Sequence, residues 1–274
     1  RENLKEAGVP NYFDPARAVR ALSALVKFGD IQTHESSSMT DYPVNREEAD
    51  EEIQQTRKQG RSVIGLEGLN ILESYGIPTI PAKIARSAAE AKKIADESET
   101  NLVLKVDSPD IIHKSESGGV KVAIEPGEVE REYDRMIETL NRSEPNATIN
   151  GIRVQEMVEG EEVIIGVKRD PQFGPLVMLG LGGIYAEVLE DVSFRVAPVS
   201  ATEAREMIES IKAFPILEGV RGKEGVEIES LIDIVQRVSK LAVDFPEISE
   251  LDLNPVIATR DNAKVADVRM RFST

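Results

Sequence analysis

One histidine lies in a polar, glycine-ended stretch between two runs of apolar residues. The stretch extends from Asp107 to Gly119 and contains His113. The flanking runs, residues 101–106 and 120–124, have the length and β-branched content of strands. The pattern predicts a strand, a functional loop and a second strand. In such a loop His113 could act as a nucleophile, because an imidazole is largely neutral near pH 7, or it could simply cap a turn.

Lys105 interrupts the first of these predicted strands. A lysine in an apolar strand can extend its ammonium group to solvent at a sheet edge. It can also direct the ammonium group at a bound phosphate. Taken alone, the position favours the first interpretation.

Three polar residues near the C-terminus are of the types that bind a hard cation. Asp252 and Asn254 are two residues apart in a predicted strand, so both point to one face of it, and Asp267 lies in the next predicted strand. Their oxygens could hold Mg²⁺ that also contacts nucleotide phosphates. The pattern is also typical of a polar strand face that ends in an Asn-Pro turn, and without further context that interpretation is preferred.

The elements that must position these residues alternate between helices and strands. Helices are predicted at residues 47–59, 65–75, 87–96, 127–141, 202–213 and 228–243. Strands are predicted at residues 79–85, 101–106, 120–124, 152–158, 163–168, 175–179, 193–199, 249–258 and 264–270. This order predicts an α/β protein of the α+β type with antiparallel sheets.

The chain divides by composition into three parts. Residues 1–29 contain one predicted helix and are too few to form a core of their own. Residues 30–45 are rich in Ser, Thr, Asp and Pro and are predicted to be a linker. Residues 46–274 are predicted to form the main domain, with lobes at roughly 46–150 and 151–274.

Composition argues against several classes of function. The net charge of −16 repels nucleic acid and anionic membrane surfaces. No apolar run approaches the roughly 20 residues that span a bilayer. The chain has no cysteine, which excludes disulfides, thiolate metal sites and thiol nucleophiles. A cytoplasmic protein without a nucleic-acid or membrane partner is expected.

Several motifs occur together in one order along the chain. These are Lys105 in a strand, Ile112-His-Lys-Ser115 with Gly118-Gly119-Val120, Gln155-Glu156-Met157-Val158, Glu162, residues 166–175, Gly180-Leu-Gly-Gly183, Asp252 with Leu253-Asn254-Pro255, and Asp267. In this order the chain resembles the ATP-grasp superfamily. More narrowly, residues 47–271 resemble the nucleotide-binding half of the NDP-forming acyl-CoA synthetases, the family of ADP-forming acetate–CoA ligase. Residues 1–29 resemble the end of that family's CoA-ligase half.

The resemblance implies an ATP-grasp fold, in which a nucleotide binds between two mixed α/β lobes. It implies that the backbone of Gln155, Glu156, Met157 and Val158 holds adenine and that Glu162 binds ribose. Phosphates would meet Lys105 and Arg195. The Mg²⁺ ion would be held by Asp252, Asn254 and Asp267.

The resemblance also implies a reaction and a partner. His113 would be the second histidine of a relay that passes a phosphoryl group from an acyl phosphate to ADP. The CoA-ligase half, fused or as a separate subunit, would complete the reaction, and the halves would associate into an oligomer. The resulting activity is that of an ADP-forming acid–CoA ligase.

Two other functions remain open at this point. One is the β subunit of a succinate- or malate-type CoA ligase, although Asp107-Ser-Pro-Asp110 and the His-Lys-Ser motif fit the acetate type better. The other is a non-catalytic, nucleotide-binding regulatory module. Retention of Lys105, His113, Asn254 and Asp267 together argues against that second alternative.

Overall fold

The chain forms two compact units, residues 1–39 and 40–274. The computed structural model describes residues 6, 8–33, 40–65, 67–111, 114, 116–183, 191–220, 222 and 224–273. Within these ranges, no helix is both long enough and apolar enough to cross a membrane.

The first unit contains one long helix, α1 (Pro15–Thr33). Asp14 caps the N-terminus of this helix. Its Oδ1 accepts a hydrogen bond of 2.9 Å from the amide of Ala16. The helix continues through residues 30–33, which were predicted to begin the linker. Residues 34–39 of that predicted linker lie outside the described part of the chain.

The second unit contains both helices and strands, as predicted. The helices are α2 (Arg46–Lys58), α3 (Glu67–Ser74), α4 (Ala88–Ala95), α5 (Val129–Ser143), α6 (Ala201–Ser210), α7 (Phe214–Glu218) and α8 (Ile228–Asp244). The strands are β1 (Val63–Ile64), β2 (Ala82–Ala85), β3 (Leu102–Asp107), β4 (Val120–Ile124), β5 (Gly151–Glu156), β6 (Glu161–Asp170), β7 (Gly174–Leu181), β8 (Val192–Val196), β9 (Ile248–Ala258), β10 (Ala263–Val265) and β11 (Val268–Phe272).

These strands form two sheets with antiparallel neighbours. The smaller sheet has four strands in the order β2-β5-β3-β4. The larger has seven, in the order β1-β11-β9-β6-β7-β8, with β10 also paired to β9. The predicted α+β architecture with antiparallel sheets is therefore confirmed.

Each sheet has its own apolar core. In the smaller lobe, α4 and α5 cover one face of the sheet, where their apolar residues pack against Leu102, Leu104, Val106, Ile152 and Val154. Burial of this face follows from the alternation of side chains along β3 and β5. The larger core lies between its sheet and the helices α2, α3, α6 and α8.

The division between the lobes differs from the predicted one. Residues 46–77 were assigned to the first lobe, but the apolar residues of α2 and α3 lie in the larger core. Strand β5 was assigned to the second lobe and belongs to the smaller sheet. The smaller lobe is thus an insertion between α3 and β6. The sequence did not reveal this, because helix periodicity shows that a face is buried but not which sheet covers it.

Glu132 ties α5 to the edge strand β4. Its carboxylate accepts hydrogen bonds from Lys121 and, at 2.7 Å, from Arg135 Nη1. The bond from Lys121, aided by Arg135, lowers the pKa of Glu132 to about 2, against the opposing effect of burial. The interaction therefore stabilises the fold above pH 4.5, the ordinary pKa of this group, and is lost as the pH falls towards 2.

Replacing this carboxylate is expected to weaken the smaller lobe. Glu132→Gln should lower the thermal unfolding midpoint at pH 7 by about 2 to 4 °C, the effect of about 1 kcal/mol in a chain of this size. The difference from wild type should shrink to nothing as the pH approaches 2. Glu130→Gln, on the same helix in a half-exposed pair with Lys92, is the matched control and should change little. Equal midpoints for Glu132→Gln and wild type at pH 7 would contradict the assignment.

Candidate functional site

The two faces of the larger sheet carry different side chains. Leu251, Leu253 and Val268 point into the helix-covered core. Because side chains alternate along a strand, Asp252 and Asn254 point to the opposite face. The polar residues predicted to bind a cation therefore lie on the face turned away from the helices.

Asn254 and Asp267 are direct neighbours on that face. The amide of Asn254 donates a hydrogen bond of 3.2 Å to the carbonyl oxygen of Asp267. Side chains at such opposed positions have Cβ atoms about 5 Å apart. Asp252 is opposed to Arg269, one step further along the same face. The structure thus brings together the three oxygen-bearing side chains predicted for Mg²⁺.

The strand that was predicted to carry Asp267 is interrupted. Residues 264–270 were expected to form one strand, but β10 ends at Val265 and β11 begins at Val268. The gap lies opposite Pro255, which has no amide hydrogen to donate to the ladder. Asp267 therefore occupies a break between two strands, where its side chain and backbone are both available to neighbours.

This donor set fits Mg²⁺. Burial raises the pKa of the Asp252 carboxyl; the nearby Asp267 charge acts in the same direction and Arg269 opposes it. The described residues contain no cluster of three or more His, Cys, Asp or Glu side chains arranged for a metal. Mg²⁺ does not require one, since it is usually held by one or two carboxylates together with phosphates and water. Two carboxylates and one amide suit an ion shared with a polyphosphate.

A second set of polar residues lies on the smaller sheet, on the face opposite its helices. Lys105 and Arg153 are direct partners across β3 and β5, and Gln155 and Asp107 lie two residues further along the same face. Lys105, Arg153 and Gln155 are buried, with 9%, 4% and 4% of their surface exposed. Buried cations need partners, and these find them on the other lobe.

The two sets meet at Asp267. Lys105 Nζ lies 3.8 Å from Asp267 Oδ2 and 3.5 Å from the carbonyl oxygen of Ala266. Arg153 Nη1 donates a hydrogen bond of 3.1 Å to Asp267 Oδ1. Gln155 Nε2 donates to the carbonyl oxygens of Ile80, at 2.8 Å, and Ala266, at 3.2 Å. The cation of one lobe and the carboxylate of the other, predicted separately, belong to one site between the sheets.

Burial lowers the pKa of Lys105, while the Asp267 and Glu162 carboxylates raise it and Arg153 lowers it further. The charged form of the ammonium group is therefore disfavoured by its buried surroundings. A multiply charged anion at this position would stabilise it.

The segment predicted to hold adenine connects the two sheets. The backbone of Gln155 and Glu156 belongs to strand β5, and the amide of Met157 donates to the carbonyl oxygen of Asn101 at 2.8 Å. The Glu156 carboxylate accepts a hydrogen bond of 3.1 Å from Ser98. Val158 packs in a small apolar cluster that lines the junction, with Ile80, Ile257 and Ala266. This segment lies next to the site, as an adenine-binding segment would.

Glu162 lies near the start of β6, on the face turned away from the helices. Its backbone carbonyl accepts a hydrogen bond of 2.6 Å from the amide of Gly182. A Cβ atom on Gly182 would lie only 2.9 Å from Glu162 Cβ, so only glycine allows the segment after β7 to approach so closely. The glycine cluster that the sequence singled out thus supports Glu162.

Arg195 is not brought to this site. It lies on the edge strand β8, opposite Val177, whose side chain is buried in the larger core. Its guanidinium group lies 3.4 Å from Glu206 on α6. The register therefore turns Arg195 towards the helices, and Phe194 takes the other face. The phosphate contact predicted for Arg195 has no support in this geometry.

His113 lies outside the described residues, but the end of its loop is defined. The carbonyl oxygen of Lys114 accepts hydrogen bonds from the amide of Gly119, at 2.6 Å, and from Ser117 Oγ, at 3.1 Å. Burial lowers the pKa of Lys114, and the charges that act on it include Asp267 and Arg153. The residue that follows His113 is thus within electrostatic reach of the site.

Sequence reasoning missed Arg153, Asp107 and Lys114 as members of the site. A signal was present in β5, where Arg153 and Gln155 alternate with apolar residues and must share one face. Asp107 shares the face of Lys105 by the same rule. Asp267, which Lys105 and Arg153 both contact on the other lobe, could not be identified from either strand.

Comparison with known proteins agrees with this geometry. The model of the ATP-grasp domain family matches residues 54–272. The chain is 46% identical over 97% of its length to acetate–CoA ligase [ADP-forming] I of Archaeoglobus fulgidus, but spans only 39% of that protein. It is 47% identical to the β subunit of acetate–CoA ligase [ADP-forming] I of Pyrococcus furiosus, and covers 97% of that subunit with 81% of its own length.

Solved structures lead to the same family. A chain of the dinucleotide forming acetyl-coenzyme A synthetase 1 of Ca. Korarchaeum cryptofilum, solved with coenzyme A and Ca-AMPCP, has 43% identity and a TM-score of 0.79 over 82% of this chain and 100% of that one. The same enzyme was solved with Mg-AMPPCP and its phosphohistidine segment pointing towards the nucleotide binding site, with 39% identity and a TM-score of 0.71 over the same shares. The chain therefore belongs to the ATP-grasp family and is a homologue of the β subunit of ADP-forming acetate–CoA ligases.

Proposed function

We propose that this chain is the nucleotide-binding half of an ADP-forming acyl-CoA synthetase. It binds ADP or ATP with Mg²⁺ between its two sheets and transfers a phosphoryl group between His113 and the nucleotide. A CoA-ligase half, fused or separate, supplies the acyl chemistry and associates with this chain in an oligomer. The Pyrococcus furiosus relative, whose β subunit is a separate chain, supports the assignment of the two activities to two halves.

The observation that carries the proposal is the meeting of Lys105 and Arg153 with Asp267 between the sheets. The protein has a net charge of −16, yet here it buries cations beside residues suited to Mg²⁺. Such a combination serves a polyphosphate, whose charge the Lys105 ammonium group and the ion can neutralise.

Each residue has a part in the proposed reaction. The ammonium group of Lys105 binds phosphate oxygens, the segment from Gln155 to Val158 holds adenine, and Glu162 holds ribose. The ion, held by Asp252, Asn254 and Asp267, neutralises phosphate charge when bound.

His113 is the nucleophile of the proposed transfer. An imidazole nitrogen forms a bond to the γ-phosphorus of ATP as the bond from that phosphorus to the leaving oxygen of ADP breaks. In the opposite direction, ADP attacks the phosphohistidine, which yields ATP and the neutral imidazole. The protein mainly holds the reacting groups in the geometry that the transfer requires.

Asp267→Asn tests the binding half of the proposal. The variant should weaken ADP binding in the presence of Mg²⁺ about tenfold or more, because a ligand carboxylate is lost, and should bind ADP in EDTA much as wild type does. Titration calorimetry with and without Mg²⁺ measures both. Asp261→Asn, on the exposed turn between β9 and β10, is the control and should bind normally. Unaltered Mg²⁺-dependent binding in Asp267→Asn would refute the assigned ion site.

A further inference from the structure

Arg153 contacts two carboxylates at once, and no role in the proposed reaction accounts for it. Its Nε and Nη2 donate hydrogen bonds of 3.3 and 3.1 Å to Asp107 Oδ1, and its Nη1 donates one of 3.1 Å to Asp267 Oδ1. Asp107 lies on the smaller sheet and Asp267 on the larger. A planar guanidinium can bridge two carboxylates in this fixed way, whereas a point charge cannot.

The larger lobe leaves room for this group. A Cβ atom on Gly65, just before α3, would lie 2.9 Å from Arg153 Nη2. The guanidinium group is therefore seated against backbone of the larger lobe, although its own strand belongs to the smaller one. Residues of both lobes therefore form this contact.

The bridge uses only one oxygen of Asp267. Oδ1 accepts from Arg153 and, at 3.0 Å, from the amide of Val268. Oδ2 is turned towards Lys105. Because Asp107 already balances the charge of Arg153, the arginine can orient Asp267 without cancelling its charge. Groups that orient a metal ligand in this way typically affect metal affinity 10- to 100-fold.

The other end of the bridge lies at the base of the His113 loop. Asp107 is the last residue of β3, and its Oδ2 accepts a hydrogen bond of 3.1 Å from Asn150 Nδ2. The chain then enters the segment that contains His113. One guanidinium group thus fixes both the proposed ion ligand and the residue from which the loop departs.

We infer that Arg153 is a positioning residue, which bridges the lobes through Asp107 and Asp267 so that Asp267 is oriented for Mg²⁺-nucleotide binding. The inference rests on the proposed function, since it assigns Asp267 to the ion. It adds a residue outside the predicted binding set, and it makes the ion's contribution to affinity depend on a side chain that touches neither ion nor nucleotide.

The test uses the full chain, with ADP and Mg²⁺ as probes. Calorimetry gives the ADP dissociation constant in EDTA and in Mg²⁺, and the ratio of the two is the Mg²⁺ enhancement. Arg153→Met should lower this ratio about tenfold or more. Arg153→Lys should restore it only in part, because an ammonium group lacks the fork that reaches both carboxylates. Arg260→Met, which breaks an exposed pair with Glu224, is the control and should keep the wild-type ratio.

Asp107→Asn keeps the test decisive if thermal melting shows that Arg153→Met does not fold. Asp107→Asn should also lower the Mg²⁺ enhancement, because Asp267 would then be the only carboxylate that balances the charge of the Arg153 guanidinium group. An unchanged or increased ratio in the variants of Arg153 and Asp107 that fold would overturn the inference while leaving the proposed function intact. Absence of any Mg²⁺ enhancement in wild type would overturn the proposed function, and this inference with it.

Discussion

His113→Ala is expected to abolish phosphorylation of the protein while leaving nucleotide binding in place. Incubation of wild type with Mg²⁺ and γ-labelled ATP should yield label that is labile in acid and stable in base, as expected for a phosphoramidate. The variant should give only background, because it lacks the imidazole that is the proposed nucleophile. ADP binding should change little, since the residues that bind nucleotide in the proposal remain.

The chain offers a matched control for this experiment. It has two histidines, and the other, His34, falls in the predicted linker. His34→Ala should be labelled like wild type. Label that persists in His113→Ala would eliminate the assigned nucleophile. Tight nucleotide binding without label in wild type would favour the regulatory-module alternative, unless addition of a CoA-ligase half restores the label.

Lys105→Met should have the second largest effect. It removes charge-assisted hydrogen bonds to phosphate, worth about 1.5 to 3 kcal/mol, so the dissociation constant for ADP should rise about ten- to hundredfold. The nucleotide-free variant should be no less stable than wild type, because burial of the ammonium group is unfavourable and Arg153 still pairs with Asp267. Calorimetry and thermal unfolding separate the two effects.

The pH dependence of stability provides an internal check on Lys105. Its pKa is lowered on folding, so the unfolded chain binds the proton more tightly and wild type should gain stability as the pH rises towards 10.5. Lys105→Met should show a smaller gain, because Lys114, whose pKa burial also lowers, still contributes. Lys83→Met, which removes an exposed lysine paired with Glu97, should retain both the gain and normal ADP binding. If Lys105→Met lost stability but kept its affinity for ADP, Lys105 would be a structural residue and not a phosphate ligand.

Local pattern was sufficient to predict much of this molecule. Alternation along β9 placed Asp252 and Asn254 on one face, and the polar stretch between β3 and β4 was recognised as a loop. The order of helices and strands along the chain predicted the α+β class. These features depend on neighbours within a few residues, so periodicity and turn chemistry are enough to reveal them.

Register and the choice of packing partner were decided only by the tertiary structure. The family resemblance implied a phosphate contact for Arg195, but the pairing of β8 with β7 turns it towards α6. Residues 46–77 were placed in the first lobe, although their apolar faces pack on the larger sheet. A one-residue change of register reverses the face of every side chain in a strand, and no pattern within the strand records that choice.

The sequence by itself therefore determined which residues could do chemistry, and the tertiary structure determined which of them meet. Lys105, Arg153 and Asp267 are far apart along the chain and come together because two sheets face each other. The break beside Asp267 arises opposite Pro255, on another strand. Burial of charge supplies the physical reason, since a lysine or arginine inside a protein requires a counter-charge that only another part of the fold can provide.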